Sequence, residues 1–288
     1  MEIISQNLTK FSTIRTKSFA KYFCTVNDIN DLKAVFKFIS ENNHNYVVLG
    51  NGSNILFSKE RYDDIVFIKL SGDFEYFVIK DRIANIGAAY SLKSAGKELI
   101  KSGYQDYIFF NLIPACIGGA VAQNAGTGLN EEIKDVCISV KLYDIKKNDI
   151  VEYENKSFKF DYRNSIIKKI PGRYVVLSAK FDLKNKTSNI EVLLNDMKDR
   201  ISEKINREPS GYTFGSTFIN NQLPAWKCVE HVKKNLKYSA GAFFSKKHQN
   251  WIINNNSKGK EIDDLIKETQ KYVKSELSID LKTEVRII

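Results

Sequence analysis

Hydrophobic residues recur along this chain with two periods, and the changes of period mark its elements. Over residues 28–42, Leu32, Val35, Phe36 and Ile39 follow the i, i+3, i+4, i+7 spacing that lines one face of a helix, with Asp28 or Asn30 as candidate caps. Residues 46–49, 55–57 and 65–68 are short apolar runs of strand length. Residues 15 to about 70 therefore predict a small α+β unit, which opens on irregular chain followed by a strand.

The next stretch is richer in strands. Residues 75–79, 83–88, 136–145, 150–153 and 174–183 have strand character, and a polar turn at 146–149 joins two of them. Ser91 is a good cap for a helix to residue 101 with Leu92, Ala95, Leu99 and Ile100 inward, and Gly103 ends it. That is the one clear helix expected between 70 and 185. A long helix over 190–207 carries Ile190, Leu193, Leu194, Met197, Ile201 and Ile205 on one stripe, and Glu208-Pro209-Ser210-Gly211 stops it. A helix starting near Pro224, strands at 240–245 and 251–254, a helix over 261–274 and an alternating strand at 284–288 complete the pattern. In the 261–274 helix, Ile262, Leu265, Ile266, Thr269 and Val273 are the inward positions.

Two stretches fit neither period. Gly50-Asn51-Gly52-Ser53-Asn54 lies between two strand-like runs. Glycine lets backbone approach a ligand, and successive N–H groups in such a turn form an anion nest whose usual guest is phosphate. A tight hairpin explains the same residues equally well. The glycine spacing is not the dinucleotide fingerprint of a βαβ unit. Residues 111–128 are crowded with Gly and Ala and hold little charge. Either a flat ring system packs against their backbone, or a short helix packs closely on a sheet.

Composition narrows the classes. With 288 residues, 43% of them hydrophobic, and only four prolines, the chain is a folded protein of one large domain or two to three smaller ones. The net charge of +10 is spread along the chain with acids between the bases, which points to a solvated basic surface and away from a nucleic-acid groove. Four cysteines form no CxxC pair and read as buried free thiols of a reducing compartment. The three histidines are too scattered for a metal site, and no metal is expected. With no signal peptide and no apolar run of membrane-spanning length, a cytoplasmic protein is expected, without a membrane or nucleic-acid partner.

Six pieces stand out in order along the chain: Leu49-Gly50-Asn51-Gly52-Ser53-Asn54; Ile113-Pro114 through Gly118-Gly119-Ala120 to Asn124-Ala125-Gly126; Tyr162-Arg163-Asn164-Ser165; Gly215-Ser216-Thr217-Phe218-Ile219-Asn220; Ser245-Lys246-Lys247-His248-Gln249-Asn250; and Glu284-Val285-Arg286. Taken together, and in that order, they resemble the UDP-N-acetylenolpyruvoylglucosamine reductase (UDP-N-acetylmuramate dehydrogenase) family. The chain has the length of the family's shorter type, which lacks an extra tyrosine-bearing loop. The resemblance implies an α+β architecture: a two-subdomain FAD-binding fold of the vanillyl-alcohol-oxidase (PCMH) kind plus a separate α/β substrate-binding domain. On the composition boundaries these are residues 1–70, 71–185 and 186–280, with 281–288 as a closing strand that carries a catalytic Glu.

The resemblance implies non-covalent FAD, NADPH as co-substrate, and a UDP-sugar as substrate, in peptidoglycan precursor synthesis. A monomer is expected. Gly50, Asn51, Gly52, Ser53 and Asn54 would bind the FAD pyrophosphate, and Gly118, Gly119, Ala120, Asn124 and Gly126 would line the cofactor pocket. Arg15 stands where the family has an early arginine. Hydride addition to an enol ether conjugated to a carboxylate needs stabilisation of the developing charge and a proton donor. By resemblance Arg163 and Glu284 activate the carboxylate, Ser216 donates the proton and Asn220 touches substrate. The chain departs from the family at Asn51, where glycine is usual, and at Ile219-Asn220-Asn221, where lysine-asparagine-proline is usual. It also departs at 231–237, where a glycine-rich segment is expected. The rival readings are another FAD-dependent oxidoreductase of the same fold and a non-enzymatic basic binding protein.

Overall fold

The computed structural model describes residues 1–128, 131–238 and 241–288. In chain order its elements begin with β1 (Ile4–Asn7), β2 (Phe19–Val26), α1 (Ile29–Glu41), β3 (Asn45–Leu49), β4 (Ile55–Leu56) and β5 (Arg61–Leu70). Then come β6 (Phe77–Lys80), β7 (Ile83–Gly87), α2 (Leu92–Lys101), α3 (Ile117–Gln123), α4 (Ile133–Val136), β8 (Cys137–Asp144) and β9 (Asp149–Glu154). The rest are α5 (Asn155–Phe158), α6 (Ile166–Lys169), β10 (Tyr174–Asp182), α7 (Ile190–Arg207), α8 (Ala225–Val232), β11 (Ala242–Phe244), β12 (Ile252–Asn254), α9 (Gly259–Leu277) and β13 (Arg286–Ile287). Strands β1-β2-β5-β3 form a four-stranded sheet in that order. The chain divides into two compact units: Met1–Ile4, Phe23–Asn51 and Asp64–Glu203 in the first, and Ser5–Tyr22, Gly52–Asp63 and Lys204–Ile288 in the second.

In the first unit a five-stranded sheet runs β6-β7-β10-β8-β9. Its centre, β10, is buried along nearly its whole length, because it pairs antiparallel with β7 and β8 at its two edges and α3 packs on it. Asp28 caps α1 by accepting from the Asp31 N–H at 2.8 Å, and Leu32, Val35, Phe36 and Ile39 are its buried positions, as the periodicity requires. Each such side chain contributes about 1.5–3 kcal/mol on burial. Phe36 meets the Tyr46 ring edge-on at 5.0 Å. Ser91 caps α2 in the same way, and Gly103 follows it at φ +90°.

The second unit surrounds one apolar core. Phe214 and Phe218, the α8 face of Ala225, Cys228, Val229 and Val232, and the α9 face of Ile262, Leu265, Ile266 and Val273 build it. Ile14 and Leu56, far earlier in the chain, are fully buried in the same core. Strands β11 and β12 pair antiparallel, and β13 pairs parallel with β4 through Arg286↔Ile55 and Ile287↔Leu56.

Several expectations change. Residues 70–185 hold more than one helix: α3, α4, α5, α6 and a 3-10 segment at Gln105–Leu112 join α2. These segments run from one turn to fewer than three, too little chain for a periodic stripe to stand out. The α7 stripe is only partly covered. Leu193 is buried against Ile100 and Ile108, whereas Ile190 and Ile205 are 37% and 67% exposed. A helix with a full apolar stripe is covered only where another element lies against it. The strand expected at 240–245 is β11, and its first residue, Ala240, lies outside the described residues. The last strand is shorter than expected and α9 begins earlier. All four cysteines are free and buried, as expected. No helix among the described residues is long and apolar enough to cross a membrane.

Candidate active site

The loop after β3 is not the turn of a hairpin. β3 pairs with β5 and β4 pairs with β13, so the two flanking strands do not pair with one another. In the first unit, the Lys69 Nζ donates to the Gly50 carbonyl at 2.7 Å. A Cβ on Gly50 would sit 3.0 Å from Cys116 Sγ and 3.8 Å from the Gly119 Cα, so the fold brings two of the expected cofactor-binding glycines face to face. In the second unit Gly52 takes φ +68°, and a Cβ there would lie 1.9 Å from the Phe11 carbonyl oxygen. Only glycine meets both conditions. Asn51, by contrast, does not take positive φ, so an asparagine there carries no backbone strain.

Thr13 N–H donates to the Gly52 carbonyl at 3.1 Å and Ser12 Oγ to the Ile55 carbonyl at 2.7 Å, which tie the loop to the segment before β2. The N–H groups of Gly52, Ser53 and Asn54 have no acceptor among the described residues. Gly52 is buried, so its N–H is a donor withdrawn from water and without a protein partner, at a cost unless a ligand accepts from it. Such donors fit a phosphate-bearing cofactor. Arg15 lies on the same segment in the left-handed region, at φ 60°.

The glycine-alanine stretch forms the short helix α3 on β10, with Gly118 N–H donating to the Ala88 carbonyl at 2.8 Å. Close helix-on-sheet packing is therefore part of its explanation. Ala120 is buried inside, while Gly119 is exposed. Asn124 ends the helix in the left-handed region at φ 45° and is fully buried. Its side chain is committed to protein groups: Nδ2 donates to Glu132 Oε2 at 3.0 Å and the Asp161 carbonyl at 2.9 Å, and Oδ1 accepts from Lys134 N–H at 3.0 Å. Gly126 pairs with Glu132 and accepts from Arg163 Nη2 at 2.8 Å. Arg163, Asn124 and Gly126 are thus gathered in the first unit.

Ser216 and Glu284 belong to the second unit, and the fold brings them onto facing segments. Phe218 pairs with Thr283, and the Glu284 N–H donates to the Thr217 carbonyl at 2.8 Å. Ser216 is half-buried and pairs with Trp251 across its other side. Asn54 Nδ2 donates to the Glu284 carbonyl at 3.1 Å, which joins the loop after β3 to the acid's backbone. Asn220 Oδ1 accepts from the Ala225 N–H at 2.9 Å at the start of α8, which is an N-terminal capping role.

Comparison with known proteins decides the family. A family model described as "FAD binding domain" matches residues 20–153, and one described as "UDP-N-acetylenolpyruvoylglucosamine reductase, C-terminal domain" matches residues 204–288. The UDP-N-acetylenolpyruvoylglucosamine reductase of Francisella tularensis is 32% identical, covering 98% of each chain. That of Chlamydia felis is 30% identical over 98% of this chain and 92% of its own. The crystal structure of the enzyme from Thermus caldophilus superposes with a TM-score of 0.81 at 25% identity, covering 100% of this chain and 99% of that one. The chain belongs to the UDP-N-acetylenolpyruvoylglucosamine reductase family.

Within this family member, sequence reasoning missed Glu132 and Lys134. Glu132 is buried, with Oε1 3.4 Å from Arg163 Nη1 and Oε2 2.7 Å from Lys134 Nζ. Neither belongs to a motif quoted for the family, and only the folded chain shows that Arg163 meets Glu132, which in turn pairs with Lys134. The hydrogen bond to Glu132 raises the Lys134 pKa, so Lys134 stays charged at neutral pH. Ile219 donates its N–H to the Lys282 carbonyl at 2.9 Å, so the departure there leaves the strand pairing intact. Among the described residues no group of three or more His, Cys, Asp or Glu side chains could hold a metal ion.

Proposed function

We propose that this protein reduces UDP-N-acetylenolpyruvoylglucosamine to UDP-N-acetylmuramate with NADPH as reductant, in peptidoglycan precursor synthesis. The observation that carries the proposal is the pairing that sets Glu284 against the Ser216 segment, with the Glu284 N–H on the Thr217 carbonyl at 2.8 Å. Bound FAD, non-covalent, would supply a two-electron relay between NADPH and the enol ether. Gly50, Asn51, Gly52, Ser53 and Asn54 would hold its pyrophosphate, and the unpartnered N–H groups of Gly52, Ser53 and Asn54 support that role. Gly118, Gly119 and Gly126 would line its pocket, and the fully buried Ala120 and Asn124 would shape that lining from behind. The fold division proposed is two FAD-binding subdomains, 1–70 and 71–185, a substrate domain at 186–280 and a closing strand at 281–288.

Arg163 offers fixed positive charge and directional donors to the substrate carboxylate. Glu284 assists there only when protonated or sharing a proton, since two carboxylates repel. Ser216 gives its proton to the carbon next to the carboxylate as the enolate charge collapses. Asn220 contacts the sugar nucleotide from the start of α8. The protein acts in the cytoplasm as a monomer. The test is an anaerobic absorbance titration. Flavin bands should bleach with NADPH and return on adding the enolpyruvyl sugar nucleotide. Bands that return only with oxygen would leave a flavoenzyme of the same fold with another substrate, and a colourless protein that takes up no FAD would sink the reading.

A further inference from the structure

Arg163 sits in a backbone conformation that an arginine rarely adopts, at φ 52°. Reciprocal bonds hold it there: Asp161 N–H donates to the Asn164 carbonyl at 3.0 Å and Asn164 N–H to the Asp161 carbonyl at 3.1 Å. Left-handed backbone is unfavourable for such a residue and persists only where surrounding contacts over-determine it. The guanidinium is over-determined too. Nη2 donates to the Gly126 carbonyl at 2.8 Å, and Nη1 to the Asn124 carbonyl and Glu132 Oε1, both at 3.4 Å. Asn124 Nδ2 clamps the turn and the acid together by donating to both the Asp161 carbonyl and Glu132 Oε2.

The carboxylate is shared unequally. Glu132 lies 2.7 Å from Lys134 Nζ but 3.4 Å from Arg163 Nη1. Lys134 therefore makes the tighter ion pair, and the same carboxylate orients Arg163. Two further lysines flank the turn: Lys168 Nζ donates to the Arg163 carbonyl at 2.8 Å and Lys169 Nζ lies 3.8 Å from an Asp161 carboxylate oxygen. Clustered cations of this kind attract an anionic ligand. We propose that Glu132 is a positioning residue, which fixes the Arg163 guanidinium for a ligand carboxylate while Lys134 keeps it from cancelling the charge. This rests on the reading of Arg163 as the carboxylate's partner.

The experiment compares two ligands on the FAD-loaded protein by calorimetry: UDP-N-acetylmuramate, which bears the carboxylate, and UDP-N-acetylglucosamine, which lacks it. Glu132→Gln should weaken the first about 10-fold, the size of one charge-assisted contact, and leave the second unchanged. Glu132→Asp should restore part of the difference. Flavin bleaching by NADPH should keep its rate while reoxidation by the enolpyruvyl substrate slows. Equal losses for both ligands, or no loss for either, would overturn the proposal. Lys134→Met, at a side chain 44% exposed, serves if Glu132→Gln does not fold, and should also weaken only the carboxylate-bearing ligand. Arg163→Ala separates the two levels. If it binds both ligands as the parent does, the reading of Arg163 fails and takes the proposal with it. If it loses only the carboxylate-bearing ligand while Glu132→Gln and Lys134→Met lose neither, the proposal alone fails.

Discussion

At the scale of single residues, chemistry and backbone geometry constrain one another. Gly52 is demanded twice, by its φ of +68° and by the Phe11 carbonyl where a Cβ would go. Ser216 follows a glycine of a different kind: Gly215 is at φ +83° with open space around its Cβ direction, so its backbone conformation alone favours glycine. A serine is a weak acid, and its proposed work is confined to the second half-reaction. Ser216→Ala should leave flavin reduction by NADPH intact and raise the barrier to turnover of the enolpyruvyl sugar by about 3 kcal/mol or more. Stopped-flow reduction followed by substrate addition measures both steps, and rapid reoxidation in the variant would end the assignment.

At the scale of elements, caps and amphipathic faces were legible where they followed local rules. Asp28 and Ser91 cap their helices, and the buried faces of α1, α2 and α9 are the ones periodicity marks. Legibility ended where an element spans only one or two turns, as at α3 to α6, and where burial depended on a distant partner, as along α7. Asn220 shows how one side chain can serve an element and a site. It accepts from the first N–H of α8, so Asn220→Ala should lower stability by about 1 kcal/mol, whereas Asn220→Asp should retain most of it. Urea unfolding of both variants checks the capping role. A KM for the sugar nucleotide that rises in Asn220→Asp, despite retained stability, would report the proposed contact with substrate separately.

At the scale of the whole molecule, the second unit is assembled from three separated stretches of chain. Ile14 and Leu56 are fully buried in its core, Asn254 Nδ2 donates to the Ile14 carbonyl at 2.8 Å, and β13 has β4 as its partner. A fragment of residues 204–288, the stretch matched by the C-terminal family model, lacks those pieces. It should therefore lack a cooperative unfolding transition and dispersed amide resonances; a sharp transition in that fragment would show that the earlier segments are dispensable. The sequence by itself determined the longer helices and strands, the two glycine-bearing stretches and the order of motifs that marks the family. Each of these depends on residues near one another along the chain. The tertiary structure alone decided that the loop after β3 is no hairpin, that Gly50 backs onto Gly119, that Glu284 lies against the Ser216 segment, and that Glu132 meets both Arg163 and Lys134. These juxtapositions come from strand pairing and close packing between residues tens to hundreds of positions apart, and no local period or propensity encodes which distant partner a segment will meet.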